Sequence, residues 1–152
     1  MHKRNDKRFI RLMAMLLALV LVLPVGIRTA KAEAIQPRAS DYLDSYNGYV
    51  YPAGNGKIQV WFTVTGNNDM DSLGCLRLSI YESTDNENWI WVKNYTNTTN
   101  PDFLAYDDFF HTSHVEYQGV AGRYYKAYFC IWAGDGDNGD TRYFYSSAKL
   151  AT

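Results

Sequence analysis

From Lys57 to Thr65 the chain reads Lys-Ile-Gln-Val-Trp-Phe-Thr-Val-Thr, with Ile58, Val60, Phe62 and Val64 at every second position. Side chains of an extended strand alternate between faces, whereas a helix returns to the same face every 3.6 residues. Period two therefore predicts a strand with one apolar face to bury. The pattern recurs. Leu76, Leu78 and Ile80 alternate with Arg77, Ser79 and Tyr81. Ile90 and Val92 alternate with Trp89, Trp91 and Lys93, and Tyr125, Ala127, Phe129, Ile131 and Ala133 alternate with Tyr124, Tyr128 and Trp132. Weaker runs of the same kind lie at Tyr42–Tyr51, His114–Val120 and Thr141–Lys149.

Turn-forming clusters separate these runs: Pro52–Gly56, Gly66–Asp69, Ser83–Asn88 and Gly134–Asp140. Short alternating runs with such punctuation every ten or so residues predict an all-β, seven-stranded antiparallel β-sandwich. The strands are expected at 42–51, 57–65, 73–82, 89–96, 112–119, 123–133 and 141–149. The stretch Asn94–Phe110, polar and then aromatic, reads as a long connection between sheets.

The N-terminus has another character. Lys3, Arg4, Lys7, Arg8 and Arg11 precede an apolar run from Leu12 to Val25, and Ala30-Lys31-Ala32 offers a small-x-small exit. That sequence of regions predicts a secretory signal peptide over 1–32, cleaved before Glu33. The apolar run falls short of the ~20 residues of a spanning helix. Residues 33–40 read as a flexible tail and 41–152 as the β-sandwich domain, a length that suits a single core. Seven of the 15 Lys and Arg lie in residues 1–32, against one acid, Asp6. The exported part thus holds 8 basic and 15 acidic residues, a net charge of −7. So acidic a domain has no electrostatic footprint for nucleic acid or for an anionic membrane surface. The expected localisation is extracellular, with no membrane association after cleavage.

The segment Val115–Phe129 (VEYQGVAGRYYKAYF) has a Gly-containing corner followed by a strand with an inward Tyr; a Gly-rich hairpin and Tyr145-Ser146-Ser147 come next. It resembles the last strands of a fibronectin type III or immunoglobulin-like domain. The chain over 38–152 also resembles small secreted proteins of Gram-positive bacteria that share the segments IYESTDN and GVAGRYYKAY. The first resemblance implies a strand order in which 141–149, 123–133, 73–82 and 89–96 form one sheet and 42–51, 57–65 and 112–119 the other.

In that order Cys75 and Cys130 fall near one end of adjacent antiparallel strands, each at the parity opposite to its strand's apolar residues. With export, this predicts a disulfide, closing a loop of 55 residues and contributing at most about 4 kcal/mol. His111 and His114, near Asp107, Asp108 and Glu116, invite a metal reading, but residues three apart on a strand face opposite ways. Asp135, Asp137 and Asp140 share one tip with Asp69 and Asp71. Such a tip could hold calcium, yet Gly, Asn and Asp are also what a hairpin turn requires. No cofactor is implied, and neither a GxSxG elbow nor a Cys–His arrangement marks an enzyme.

Parity leaves Tyr81, Trp89, Trp91, Tyr124, Tyr128 and Trp132 outward on one sheet. Contiguous outward rings with a polar rim mark an interaction face, unless the Asn94–Phe110 connection covers them. The expected function is a secreted, non-catalytic module that binds a surface glycan or wall polymer through this face. A protein-directed module (inhibitor, adhesin or immunity factor) is the alternative, and a small hydrolase a remote one.

Overall fold

The computed structural model describes residues 40–152; the expected signal peptide, and the expected tail apart from Ser40, lie outside the described residues. Nine strands follow in order: β1 (Leu43–Gly54), β2 (Lys57–Met70), β3 (Ser72–Ser83), β4 (Ile90–Thr96), β5 (Leu104–Ala105), β6 (Asp108–Gln118), β7 (Tyr124–Asp135), β8 (Asn138–Tyr145) and β9 (Lys149–Leu150). A 3₁₀ turn at Pro101–Phe103 precedes β5. One sheet has the order β1-β2-β6 and the other β4-β3-β7-β8, with β5 added to β3 and β9 to β7. All pairs are antiparallel. The membership of the two sheets is the expected one. The count of seven is corrected to nine, because β5 and β9 are two-residue additions too short to show a period.

Turn chemistry sets the hairpins. Gly54 pairs with Lys57, leaving Asn55 (φ 52°) and Gly56 (φ 76°) as the two loop residues. Positive φ at both matches the right-handed twist of the flanking strands. Between β7 and β8 the loop is Gly136-Asp137, closed by the Asp135–Asn138 pair.

The core fills the space between the sheets. Ile58, Val60, Phe62 and Val64 are fully buried, as the alternation requires, and meet Leu78, Ile80, Tyr125, Phe129 and Ile131 from the larger sheet. Each such side chain contributes ~1.5–3 kcal/mol relative to exposure. The Phe129 ring stacks on Phe144 at 5.0 Å and reaches the backbone of β1, where a Cβ on Gly48 would come within 2.4 Å of it. Only a glycine there allows the two sheets to approach so closely.

At the corner before β7, the Tyr125 hydroxyl donates to Glu82 and accepts from the Val120 N–H at 2.8 Å, while Arg123 pairs with the same carboxylate. Burial, aided by the Glu82 carboxylate, pushes the Tyr125 phenol up to about 12.

One expectation fails on a β-bulge and another at the end of a strand. In β3, Cys75 pairs with Ile131 and Arg77 with Cys130, so Leu76 is an extra residue. A bulge shifts parity by one: Cys75, not Leu76, joins the core, while Cys130 stays on the outer side. The expected disulfide is thereby corrected: Cys75 and Cys130 are both free, buried thiols, and Cys75 Sγ donates to the Arg77 carbonyl at 3.2 Å. In β4, a second shift pairs Ile80 with Lys93 but Tyr81 with Trp91. Val92 still packs against the core, whereas Ile90, expected inward, is 69% exposed at the end of the strand pair.

The connection after β4 crosses to the smaller sheet. It buries Phe103 against Phe62 (ring centroids 5.3 Å) and joins β6. It therefore contributes to the core rather than lying over the aromatic face.

Candidate binding face

The outward positions of the larger sheet form rows across its strands. Trp91, Tyr81 and Lys126 make one row, through the pairs Trp91–Tyr81 and Tyr81–Lys126. Asn94, Ser79, Tyr128 and Tyr145 make the next, and Thr96, Arg77, Cys130 and Tyr143 the third. The tyrosine rings are in mutual contact. Tyr145 lies 4.8 Å from Tyr128 and 5.8 Å from Tyr81, and Tyr143 stacks on Tyr128 at 6.2 Å with an interplanar angle of 15°. Trp91 (57%), Tyr143 (59%) and Tyr145 (52%) are each more than half exposed.

Trp89 joins from the β3–β4 loop. That loop is tied by Asp85, which accepts from the Glu87 and Asn88 backbone N–H groups, the Asn88 side chain and the Ser83 hydroxyl. These bonds hold the Asp85 carboxyl below the usual range, with the Asn88 side-chain bond the largest cause. The loop delivers the Trp89 ring to Lys126, whose ammonium sits 4.2 Å from its centroid and 4.8 Å from that of Tyr145.

Not all six expected residues share this platform. Tyr81, Trp89, Trp91 and Tyr128 do. Trp132 is outward by parity but occupied: Nε1 donates to Ser72 Oγ at 3.0 Å, and its ring lies so close to the β8 backbone that a Cβ on Gly139 would meet it at 2.3 Å. Tyr124 stands at the far end of β7, between Ser83 and Leu150.

Lys126, Tyr143 and Tyr145 are functional candidates that the sequence reading did not single out. The signal was present in the alternation of Tyr143 and Tyr145 about the inward Phe144. The Cys130 thiol beside Tyr143 raises that phenol above its ordinary value, and burial chiefly raises Tyr145. Both hydroxyls are then neutral at physiological pH, each able to donate and accept.

The outer face of the smaller sheet carries a second, smaller aromatic group. Trp61 stacks on His114 with centroids 4.1 Å apart and planes within 10°, beside Tyr49 and Tyr51. Glu116 is engaged by Lys57 at 3.0 Å and Gln59 at 3.0 Å. His111 faces the other way, donating from Nε2 to the Asp102 carbonyl at 2.8 Å. The two imidazoles thus stand on opposite sides of β6.

At the acidic tip, Asp71 Oδ2 accepts from the Gly136 N–H at 2.6 Å and Asp135 Oδ1 from the Asp71 N–H at 3.2 Å. Asp140 accepts from the Ser40 hydroxyl at 2.5 Å and the Asp41 N–H at 3.0 Å, bonds that tie the start of the domain to β8. Asp135, Asp71 and Asp140 thus fasten turns and the Ser40–Asp41 segment. No three His, Cys, Asp or Glu side chains among the described residues converge as a metal site would require.

No protein-family model matches the sequence, and no curated protein matches it. In backbone shape the chain is similar to Spo0M. The crystal structure of that sporulation control protein from Bacillus subtilis aligns with a TM-score of 0.36 at 10% identity, over 69% of this chain and 49% of that one. The chain therefore corresponds to about half of the Spo0M chain.

Proposed function

We propose that this is an exported, non-catalytic carbohydrate-binding module of fibronectin type III or immunoglobulin-like architecture, receiving a surface glycan or wall polymer on the outer face of its larger sheet. The observation that carries the reading is the run of rings in contact, half-buried Tyr81 and Tyr128 with exposed Tyr145 and Tyr143, beside which exposed Trp91 pairs with Tyr81. Sugar rings present flat C–H faces that stack on aromatics, and neutral phenols and Asn94 supply hydrogen bonds around them. Support for the architecture comes from the sheet orders β1-β2-β6 and β4-β3-β7-β8. The hydroxyl of Tyr125 near the start of β7, bonded to the backbone five residues upstream, adds a feature known from immunoglobulin-type sandwiches. The signal peptide features of residues 1–32 support export.

The test is a pair of variants. Trp91→Ala should weaken polysaccharide binding at least severalfold while stability changes by no more than about 0.5 kcal/mol, as at an open surface site. Phe129→Ala should cost ~3–5 kcal/mol, as emptying a core aromatic site does. Trp91→Ala unfolding the domain as badly as Phe129→Ala would sink the reading, as would polysaccharide binding indifferent to Trp91.

A further inference from the structure

We infer that the polymer received by this face is anionic, a glycan bearing carboxylate or phosphodiester groups. This rests on the sugar-binding reading above and adds the charge of the ligand.

The observation is a local reversal of sign. Residues 40–152 hold 14 Asp and Glu against 7 Lys and Arg. On β3, β4, β7 and β8, no outward strand position carries a carboxylate, while two carry cations, Arg77 and Lys126. The other charges of these strands lie elsewhere. Glu82 is on the core side, engaged by Tyr125 and Arg123, and Asp140 is bonded to Ser40 and lies 3.6 Å from Arg142. Three ion pairs form among the described residues, Lys57–Glu116, Arg123–Glu82 and Arg142–Asp140, and neither Arg77 nor Lys126 takes part in them.

Lys126 is instead held between the Trp89 and Tyr145 rings. Aromatic faces steady an ammonium without neutralising it, so the charge remains available to a ligand. Arg77 pairs with Cys130, four residues along β7 from Lys126. At about 3.4 Å per residue the two cations are separated by roughly 14 Å of strand, with the Tyr128–Tyr145 ring pair between them. A chain lying along the strands would stack on those rings and meet a cation at either end. Neutral polymers gain nothing from this arrangement. The rest of so acidic a domain repels any polyanion, so the attraction is confined to this face, where the two cations flank the rings.

Tryptophan fluorescence titration with three probes tests this: polygalacturonate, its methyl-esterified form, and poly(glycerol phosphate). Polygalacturonate should bind about tenfold more tightly than the ester at low salt, the scale of one or two partly exposed charge contacts, with the advantage shrinking as salt rises. The double variant Arg77→Gln/Lys126→Gln, with its unfolding midpoint checked, should bind the acid and the ester alike. Tighter binding of poly(glycerol phosphate) than of polygalacturonate would identify phosphodiester as the charge that is read; the reverse would identify carboxylate. Equal binding of acid and ester overturns the inference and leaves sugar binding standing, as does a preference that survives in the double variant. Binding of none of the probes, at any salt, overturns both.

Discussion

The Lys126 ammonium lies 4.2 Å from the centroid of the Trp89 ring. Trp89 precedes β4 and owes its place to the loop that Asp85 fastens through the Glu87 and Asn88 backbone N–H groups. Asp85→Ala should release the loop and expose Trp89 further. The measurement is the emission of the variant minus that of the same variant with Trp89→Phe. A red shift of this difference spectrum is expected; an unchanged spectrum would show that the loop does not position the ring.

Gly48 is where the smaller sheet rests on the Phe129 ring, with 2.4 Å available to a Cβ. Gly48→Ala should therefore cost ~1–3 kcal/mol, the usual range for overpacking a core. Urea unfolding gives the number, and wild-type stability in this variant would mean that the ring gives way freely.

The thiols of Cys75 and Cys130 are unpaired. Burial pushes Cys75 up to about 12, so it holds almost no reactive thiolate at neutral pH. Folded protein should react slowly with a thiol reagent, and protein unfolded without reductant should titrate as two thiols per chain. A titre of zero in the unfolded protein would reinstate the disulfide.

Acid stability follows from three carboxylates held below their ordinary values: Asp85, chiefly by the Asn88 side chain; Glu116, chiefly by Gln59 and then Lys57; and Asp140, chiefly by the Ser40 hydroxyl. Each is depressed in the folded state. Its contribution is complete above the unfolded values of about 3.9 for Asp and 4.3 for Glu, and is lost as pH falls through the lower folded value. Tyr125 is the reverse case, raised to about 12 in the fold. Its contribution is complete below the unfolded value of about 10 and fades as pH rises towards the folded one. Unfolding midpoints across pH should be flat between these limbs. Asp140→Asn should flatten the acid limb and Tyr125→Phe the alkaline one. An acid limb that Asp140→Asn leaves as steep as before would show that Asp140 takes no part in it.

The strands and their turns are legible in the residues alone. Period two at Ile58–Val64 and Tyr125–Ala133 places one face of each strand in a core, and Asn55-Gly56 and Gly136-Asp137 carry the conformations their hairpins need. Opposite placement of His111 and His114 also followed from parity, as did the outward setting of Tyr81 and Tyr128, because each lies within an uninterrupted stretch of the β2–β6 or β3–β7 pairing. Tertiary structure decided the rest. An inserted residue such as Leu76 costs a strand one unit of parity, and composition does not mark it; it appears only as a register shift against β7. The disulfide expectation failed for that reason. Whether rings join a shared platform depends on neighbours distant in the chain. Trp132 is taken up by Ser72 and Gly139, whereas Tyr145 is brought to Tyr81, 64 residues away, by the order of three strands. Alternation tells which way a side chain points, and only packing tells what it meets.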